Sequence, residues 1–248
     1  MKRILLALTI CLSFIGCAKT DSNAPVIIYT DKPINIMPPP IPHVPEMNGT
    51  VDIKTEMQNK LFKAIVRGSG VVVGKINDSY YVATATHVVR NAEKIEIEGN
   101  PAELLLNVTG ADASILRFKS SEDFFVHKVV NAKFGEEAWG VGFVTEDAYP
   151  SVLRNPPQKF FTIGRVCMKD KTALWFNGGG TQGMSGGPLL NKQNEVIGVA
   201  YRFLALTSRS STIVVYTPSE VFDIAISIAM MEERVKEIIR NSSYPIAK

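Results

Sequence analysis

Residues 181–190 read TQGMSGGPLL, with one serine, Ser185, set among Gly183, Gly186, Gly187 and Pro188. Glycine and proline cluster wherever a chain turns, and a serine in such a turn is commonly no more than a solvated hydroxyl. The glycines also permit a second arrangement, in which the backbone passes close to a substrate carbonyl and the N–H groups of Gly183 and Ser185 point at one oxyanion. That arrangement is useful only if a base and an orienting acid stand elsewhere. A serine hydroxyl is a weak nucleophile at neutral pH until an imidazole takes its proton, and the imidazole needs a carboxylate to fix its tautomer.

The chain has three histidines, His43, His87 and His127. His43 lies in the proline-dense stretch PPPIPHVP and reads as a spacer. His127, in FFVHKVV, falls mid-strand, where a packed or surface histidine is expected. His87 follows the apolar run YYVATA and precedes a short helical turn, which makes it the candidate base. Downstream, Asp112 in GADASILRF opens an apolar run after a turn signal, so its carboxylate can sit at a strand end and face inward. An aspartate after such a signal can equally be an ordinary turn residue.

Around these residues, short apolar runs rich in valine, isoleucine and aromatics alternate with turn signals: GVVVGK, KIEIE, AELLLNV, AWGVGFV, FFTIGRVCM and STIVVYT among them. About a dozen such runs over some 170 residues indicate an all-β sandwich or barrels, between which the pattern alone does not choose. Pro218–Arg240 differs, with apolar residues at helical spacing, Ser219 and Glu220 at its start and basic residues toward its end, as a C-terminal helix requires.

The whole chain, 248 residues with 46% hydrophobic and 21% charged, has enough apolar material for a sizeable core. A formal net charge of +3, with lysine and arginine scattered, gives no reason to expect nucleic acid as a partner. At the N-terminus Lys2 and Arg3 precede an apolar run from Ile4 to Ile15, then Gly16 and Cys17. This reads as a secretory signal over residues 1–17, too short to span a bilayer. It resembles a bacterial lipoprotein signal, in which Cys17 is lipidated, although Phe14 stands where leucine is usual. The resemblance implies an exported, periplasmic protein held at a membrane through a lipid anchor, with Ala18 after the cysteine favouring the outer one. Residues 18–50, dense in proline, read as an extended tether. Of the three cysteines only Cys167 remains for the mature domain, so no internal disulfide is expected, and its apolar run suggests a buried thiol.

The order His87, Asp112, Ser185 and the motifs TATHVV (Thr84–Val89), DASILRF (Asp112–Phe118) and GMSGGPLLN (Gly183–Asn191) resemble the chymotrypsin-fold serine proteases, and among them the bacterial HtrA (DegP-like) family. GEEAWGVGF (135–143), IGRV (163–166), NEVIGVAYRF (194–203) and YTPSEV (216–221) extend the likeness, so that it covers roughly Leu61 to Arg240. The resemblance implies two six-stranded antiparallel β-barrels, about 51–120 and 130–217, then a helix over 218–240, together a protease domain over 51–248. It implies a serine endopeptidase in which Ser185 is nucleophile, His87 base, Asp112 orienting acid, and the N–H groups of Gly183 and Ser185 the oxyanion hole. No metal or cofactor is called for, and the partners would be protein or peptide substrates.

It further implies that Gly179 lies at the base of the primary specificity pocket, with Val199, Ala200 and Tyr201 on the strand beside it. With no acid at Gly179, a small or medium apolar substrate residue is expected. Met184 stands where HtrA proteins have asparagine and trypsin-like enzymes aspartate, and WFNGGGTQ replaces the usual residues before the turn. No PDZ domain is expected after the helix. HtrA relatives form trimers, but the segment that carries those contacts does not match here, so the resemblance assigns no oligomeric state. The competing reading is a catalytically silent binding module on the same fold. An α/β-hydrolase esterase fails on order, because that fold runs nucleophile, acid, histidine.

Overall fold

Alternation breaks down in the strand that leads to His87. A strand with one face in a core should bury every second residue, yet Ser79–Thr84 is buried at all six positions. Both of its faces are covered, one by the interior of a barrel and the other by a second barrel and a helix. The structure, a computed structural model, describes residues 43–58, 63–144, 158–205 and 212–241. The expected signal, Cys17 and the tether up to residue 42 lie outside the described residues.

Two closed, six-stranded antiparallel barrels follow one another along the chain, as expected. The first is built from β1 (Thr50–Gln58), β2 (Lys63–Ile76), β3 (Ser79–Thr84), β4 (Lys94–Ile97), β5 (Asn100–Asn107) and β6 (Ser114–Lys119), in the order β1-β2-β3-β6-β5-β4. A single helical turn, α1 (Thr86–Val89), interrupts it after β3. The second contains β7 (Glu137–Val144), β8 (Gln158–Lys169), β9 (Leu174–Phe176), β10 (Pro188–Asn191), β11 (Val196–Ala205) and β12 (Thr212–Pro218), in the order β10-β11-β12-β9-β8-β7. Helix α2 (Ser219–Asn241) follows directly.

Three apolar clusters account for the burial. Val51, Ile53, Tyr80, Val82, Leu116 and Phe118 fill the first barrel. Leu174, Phe176, Leu189, Ile197, Val214 and Tyr216 fill the second. The third cluster lies between the barrels, where Tyr81 and Ala83 of β3 meet Trp139 and Val141 of β7, Val199 of β11, and Phe222, Ala225, Ile226 and Ala229 of α2. Helix α2 thus presents one stripe to both barrels, each large side chain contributing on the order of 1.5–3 kcal/mol by leaving water. Its opposite stripe, Ile224, Ile228, Met231, Val235 and Ile238, is exposed.

Residues 43–49, expected at the end of the tether, are packed. The His43 ring lies 5.2 Å from that of Trp139. Glu46 N donates to Asn194 Oδ1 at 3.0 Å, and Val72 N donates to Gly49 O at 2.8 Å. His127 lies outside the strands and is buried, its Nδ1 hydrogen-bonded to the Asn194 carbonyl at 2.8 Å. Cys167 corrects its expectation, for the thiol is exposed, with Sγ 3.2 Å from the Trp175 carbonyl oxygen. Val166 beside it is fully buried, so by alternation the neighbouring position faces outward.

Candidate active site

The candidate acid and base are held chiefly by the first barrel, with Thr217 of β12 reaching over from the second, its Oγ1 3.5 Å from the Asp112 carbonyl oxygen. His87 lies on α1, whose Val88 and Val89 are buried in the barrel core, and Asp112 immediately precedes the buried Ala113 at the start of β6. The carboxylate bridges two donors of one residue: the His87 backbone N–H to Oδ1 at 2.9 Å and Nδ1 to Oδ2 at 2.6 Å. Behind it, Thr86 Oγ1 lies 2.8 Å from Ser114 Oγ, which donates to Asn107 Oδ1 at 2.7 Å, tying α1 to β6 and β5. Burial pushes the Asp112 carboxyl up, but the hydrogen bonds and charge of His87, with Arg90 nearby, outweigh it and hold the group below its usual range. An ionised carboxylate on Nδ1–H leaves Nε2 as the basic nitrogen.

Ser185, in the turn that precedes β10 of the second barrel, is tied to β2 of the first. Ser69 N donates to the Ser185 carbonyl at 2.7 Å, and Ser69 Oγ donates to the Gly183 carbonyl at 2.7 Å while accepting from Phe143 N at 2.8 Å. Ser69 is fully buried, so one residue fixes the carbonyls on either side of Met184, through its backbone N–H and its hydroxyl, and the hydroxyl also joins them to β7. Gly186, at φ +87°, could not carry a side chain. A Cβ there would stand 2.0 Å from the Ser69 carbonyl oxygen and 2.2 Å from Thr84 Oγ1, with the Ala85 nitrogen at 3.1 Å. The residue after Ser185 therefore packs against Thr84 and Ala85, three and two positions before His87.

The turn itself is tightly wound. Met184 N donates to Thr181 O at 3.3 Å and Gly187 N to Met184 O at 2.9 Å. Gly183 adopts φ +94°, a left-handed conformation glycine allows. Among the described residues no partner accepts from Gly183 N or Ser185 N, the two donors expected to form the oxyanion hole, and none bonds to Ser185 Oγ. Met184, where relatives of the fold carry a polar residue, is buried to 1% exposure, and a Cβ on Gly142 would meet its Cα at 2.8 Å. An apolar anchor against β7 holds this turn in place of a buried polar contact.

The four residues expected around the specificity pocket separate. Gly179 has φ +79° and open space where a side chain would stand, and its carbonyl accepts from Thr162 Oγ1 at 3.1 Å. Val199 is fully buried in the cluster between the barrels, and Ala200 is buried in the second barrel. Tyr201 sits at a bulge between Ala200 and Arg202 that turns its ring across to the first barrel, against the cluster containing Val88 and Val89. Ser69, missed by sequence reasoning, stands in RGSGV between two glycines, a pattern that signals close backbone approach without saying to what.

The trypsin-like peptidase domain family matches residues 68–199, more than half of the chain. The chain belongs to that family. Among solved structures, the crystal structure of the serine endoprotease from Yersinia pestis resembles this trypsin-like peptidase domain with a TM-score of 0.58 at 18% identity. The likeness covers 76% of this chain and 65% of that one, so this peptidase domain spans a little under two thirds of that protein's length. No curated protein matches the chain.

Proposed function

We propose that the protein is a serine endopeptidase working through an acyl-enzyme. Ser185 Oγ attacks the substrate carbonyl carbon as His87 Nε2 takes its proton. The negative charge that develops on the carbonyl oxygen is received by the N–H groups of Gly183 and Ser185. His87 returns the proton to the leaving amine as the C–N bond breaks, then draws one from the water that hydrolyses the ester. Asp112 holds the imidazole and stabilises its charged form. The observation that carries this reading is the His87–Asp112 pair at 2.6 Å beside a serine turn whose two N–H donors are unclaimed by any described residue. The absence of a Ser185–His87 bond is compatible with it, since such contacts often tighten only around substrate.

Exposure of the purified chain to a fluorophosphonate probe tests the proposal, with Ser185→Ala and His87→Ala run alongside. The expected result is labelling of the parent that both substitutions abolish. A folded parent that stays unlabelled defeats the reading and favours a silent binding module.

The setting proposed is the bacterial cell envelope. The N-terminal signal supports export, and Cys17 followed by Ala18 supports a lipid anchor on the outer membrane. The HtrA-like motifs support a role on protein or peptide substrates there. For the residue at the cut, the lack of an acid at Gly179, with open space where its side chain would stand, favours a small or medium apolar side chain. A cleavage profile dominated by arginine or lysine at that position would sink this last point.

A further inference from the structure

On its β10 side β11 is paired as far as Val199, and the last bonds across that edge are Ala200 N to Gly187 O and Gly186 N to Ala200 O. From Tyr201 onward that edge has no strand partner among the described residues, although β12 pairs the other edge through Ala205. An extended peptide can add there as one more strand. Added antiparallel, like every neighbour in the barrel, it runs opposite to β11, so its C-terminal direction points back toward Ala200 and the Ser185 turn. The residues on the acyl side of the scissile bond then lie over Tyr201 and Arg202.

Beside that stretch is a cavity of about 550 Å³, lined by Arg90, Asp112, Thr172, Tyr201, Arg202 and Thr217 among others. Arg90 follows α1 in the first barrel and Arg202 lies on β11, so two guanidiniums from different barrels line one space. Neither has an ion pair or side-chain hydrogen bond with a described residue, unlike Arg67, Arg117 and Arg165. The one carboxylate in the lining, Asp112, is committed to His87 through both of its oxygens. Asp170, close enough for its charge to act on Tyr201, takes three bonds from Thr172 and Ala173. The cavity therefore presents two guanidiniums with no ion-pair partner among the described residues, beside the carboxylate of Asp112, whose charge Arg90 helps to stabilise.

We infer that this cavity selects peptides with an aspartate or glutamate two to four residues before the scissile bond, a selectivity that rests on the peptidase reading above. Arg202 and Arg90 would grip the substrate carboxylate, and two planar forks from opposite walls suit it better than a single lysine would. Because both arginines are solvent-exposed, the preference is expected to be moderate, about tenfold over the matching amide, and to shrink as salt rises.

The test uses the full chain and a library of quenched peptides carrying Glu, Gln or Lys in turn at each of those positions, with fluorophosphonate labelling in parallel. The expected result is a kcat/KM ratio of about ten for Glu over Gln at one position. That ratio should fall toward one in Arg202→Ala and in Arg90→Ala, and Arg202→Glu should turn the preference toward Lys. A chain that labels and cleaves with no acidic preference, or whose preference survives all three substitutions, overturns the selectivity and leaves the peptidase reading standing. A chain that neither labels nor cleaves overturns both.

Discussion

The two halves of the proposed catalytic apparatus are held in different ways. His87 and Asp112 belong to one barrel and fix each other directly, with the Thr86–Ser114–Asn107 chain behind them. The Ser185 turn belongs to the other barrel, yet its carbonyls are held by Ser69 of the first. The His87–Asp112 pair is thus mainly a local construction, with one weak bond from Thr217 of the second barrel, whereas the proposed nucleophile and oxyanion donors are placed by the interface. Damage to the interface should therefore disable the nucleophile while leaving the pair intact.

Asp112→Asn attacks the local construction, and its effect is expected to be the largest. The geometry should survive while turnover falls by about 10⁴, because the amide no longer holds the required tautomer. The measurement is kcat on any cleaved peptide, with unfolding monitored to show that stability changes far less. Gly186→Ala attacks the junction instead. A methyl group 2.0 Å from the Ser69 carbonyl, at a left-handed φ, should cost about 3–5 kcal/mol of stability and displace the serine turn. Denaturant unfolding reads the first effect, and loss of fluorophosphonate labelling reads the second.

Ser69→Ala is the sharper probe of the contrast, since it removes only the hydroxyl. The Gly183 carbonyl and Phe143 N–H then lose a buried partner, for an expected 1–3 kcal/mol of stability. Labelling of Ser185 should slow, while the proton resonance of the His87–Asp112 hydrogen bond, followed by NMR, should stay in place. If that resonance is lost as labelling slows, the two halves are not independent.

The smallest effect concerns His127, outside the site. Burial holds its pKa below the usual value, against opposing contributions from the Asn194 carbonyl and Glu46. The unfolded chain therefore binds a proton before the folded one does, so stability is full above about pH 6.5 and declines as pH falls from there toward the folded pKa. Unfolding curves from pH 7.5 to 5 should show the decline, and His127→Gln should flatten it. The depressed Asp112 carboxyl acts in a lower window, below its unfolded value of 3.8, and so does not confuse the test.

Much of this was legible in the sequence. The spacing of His87, Asp112 and Ser185, the glycines around the serine and the density of β-type runs are local chemical facts. The runs alone left sandwich or barrels open; the family resemblance of the motifs implied two barrels, and helical spacing over residues 218–240 implied the terminal helix. Less legible was which side chains each strand turns inward. Period-two alternation distinguishes a wet face from a dry one, but β3 and β7 are dry on both, because each barrel uses the other as its second core. Cys167 faces away from the buried Val166 by ordinary alternation, whereas the bulge after Ala200 shifts the phase and lets Tyr201 reach across to the first barrel.

What the sequence determined by itself was the identity and order of the candidate reactive groups, since hydroxyl, imidazole and carboxylate are properties of single residues with their immediate neighbours. What only the tertiary structure decided was their support: Ser69 between Gly183 and Ser185, Met184 as a buried anchor, residues 43–49 packed onto the barrels, and Arg90 facing one cavity with Arg202. Each of these joins segments far apart in the chain. Such contacts follow from how strands close and pack, which no local pattern of residues encodes.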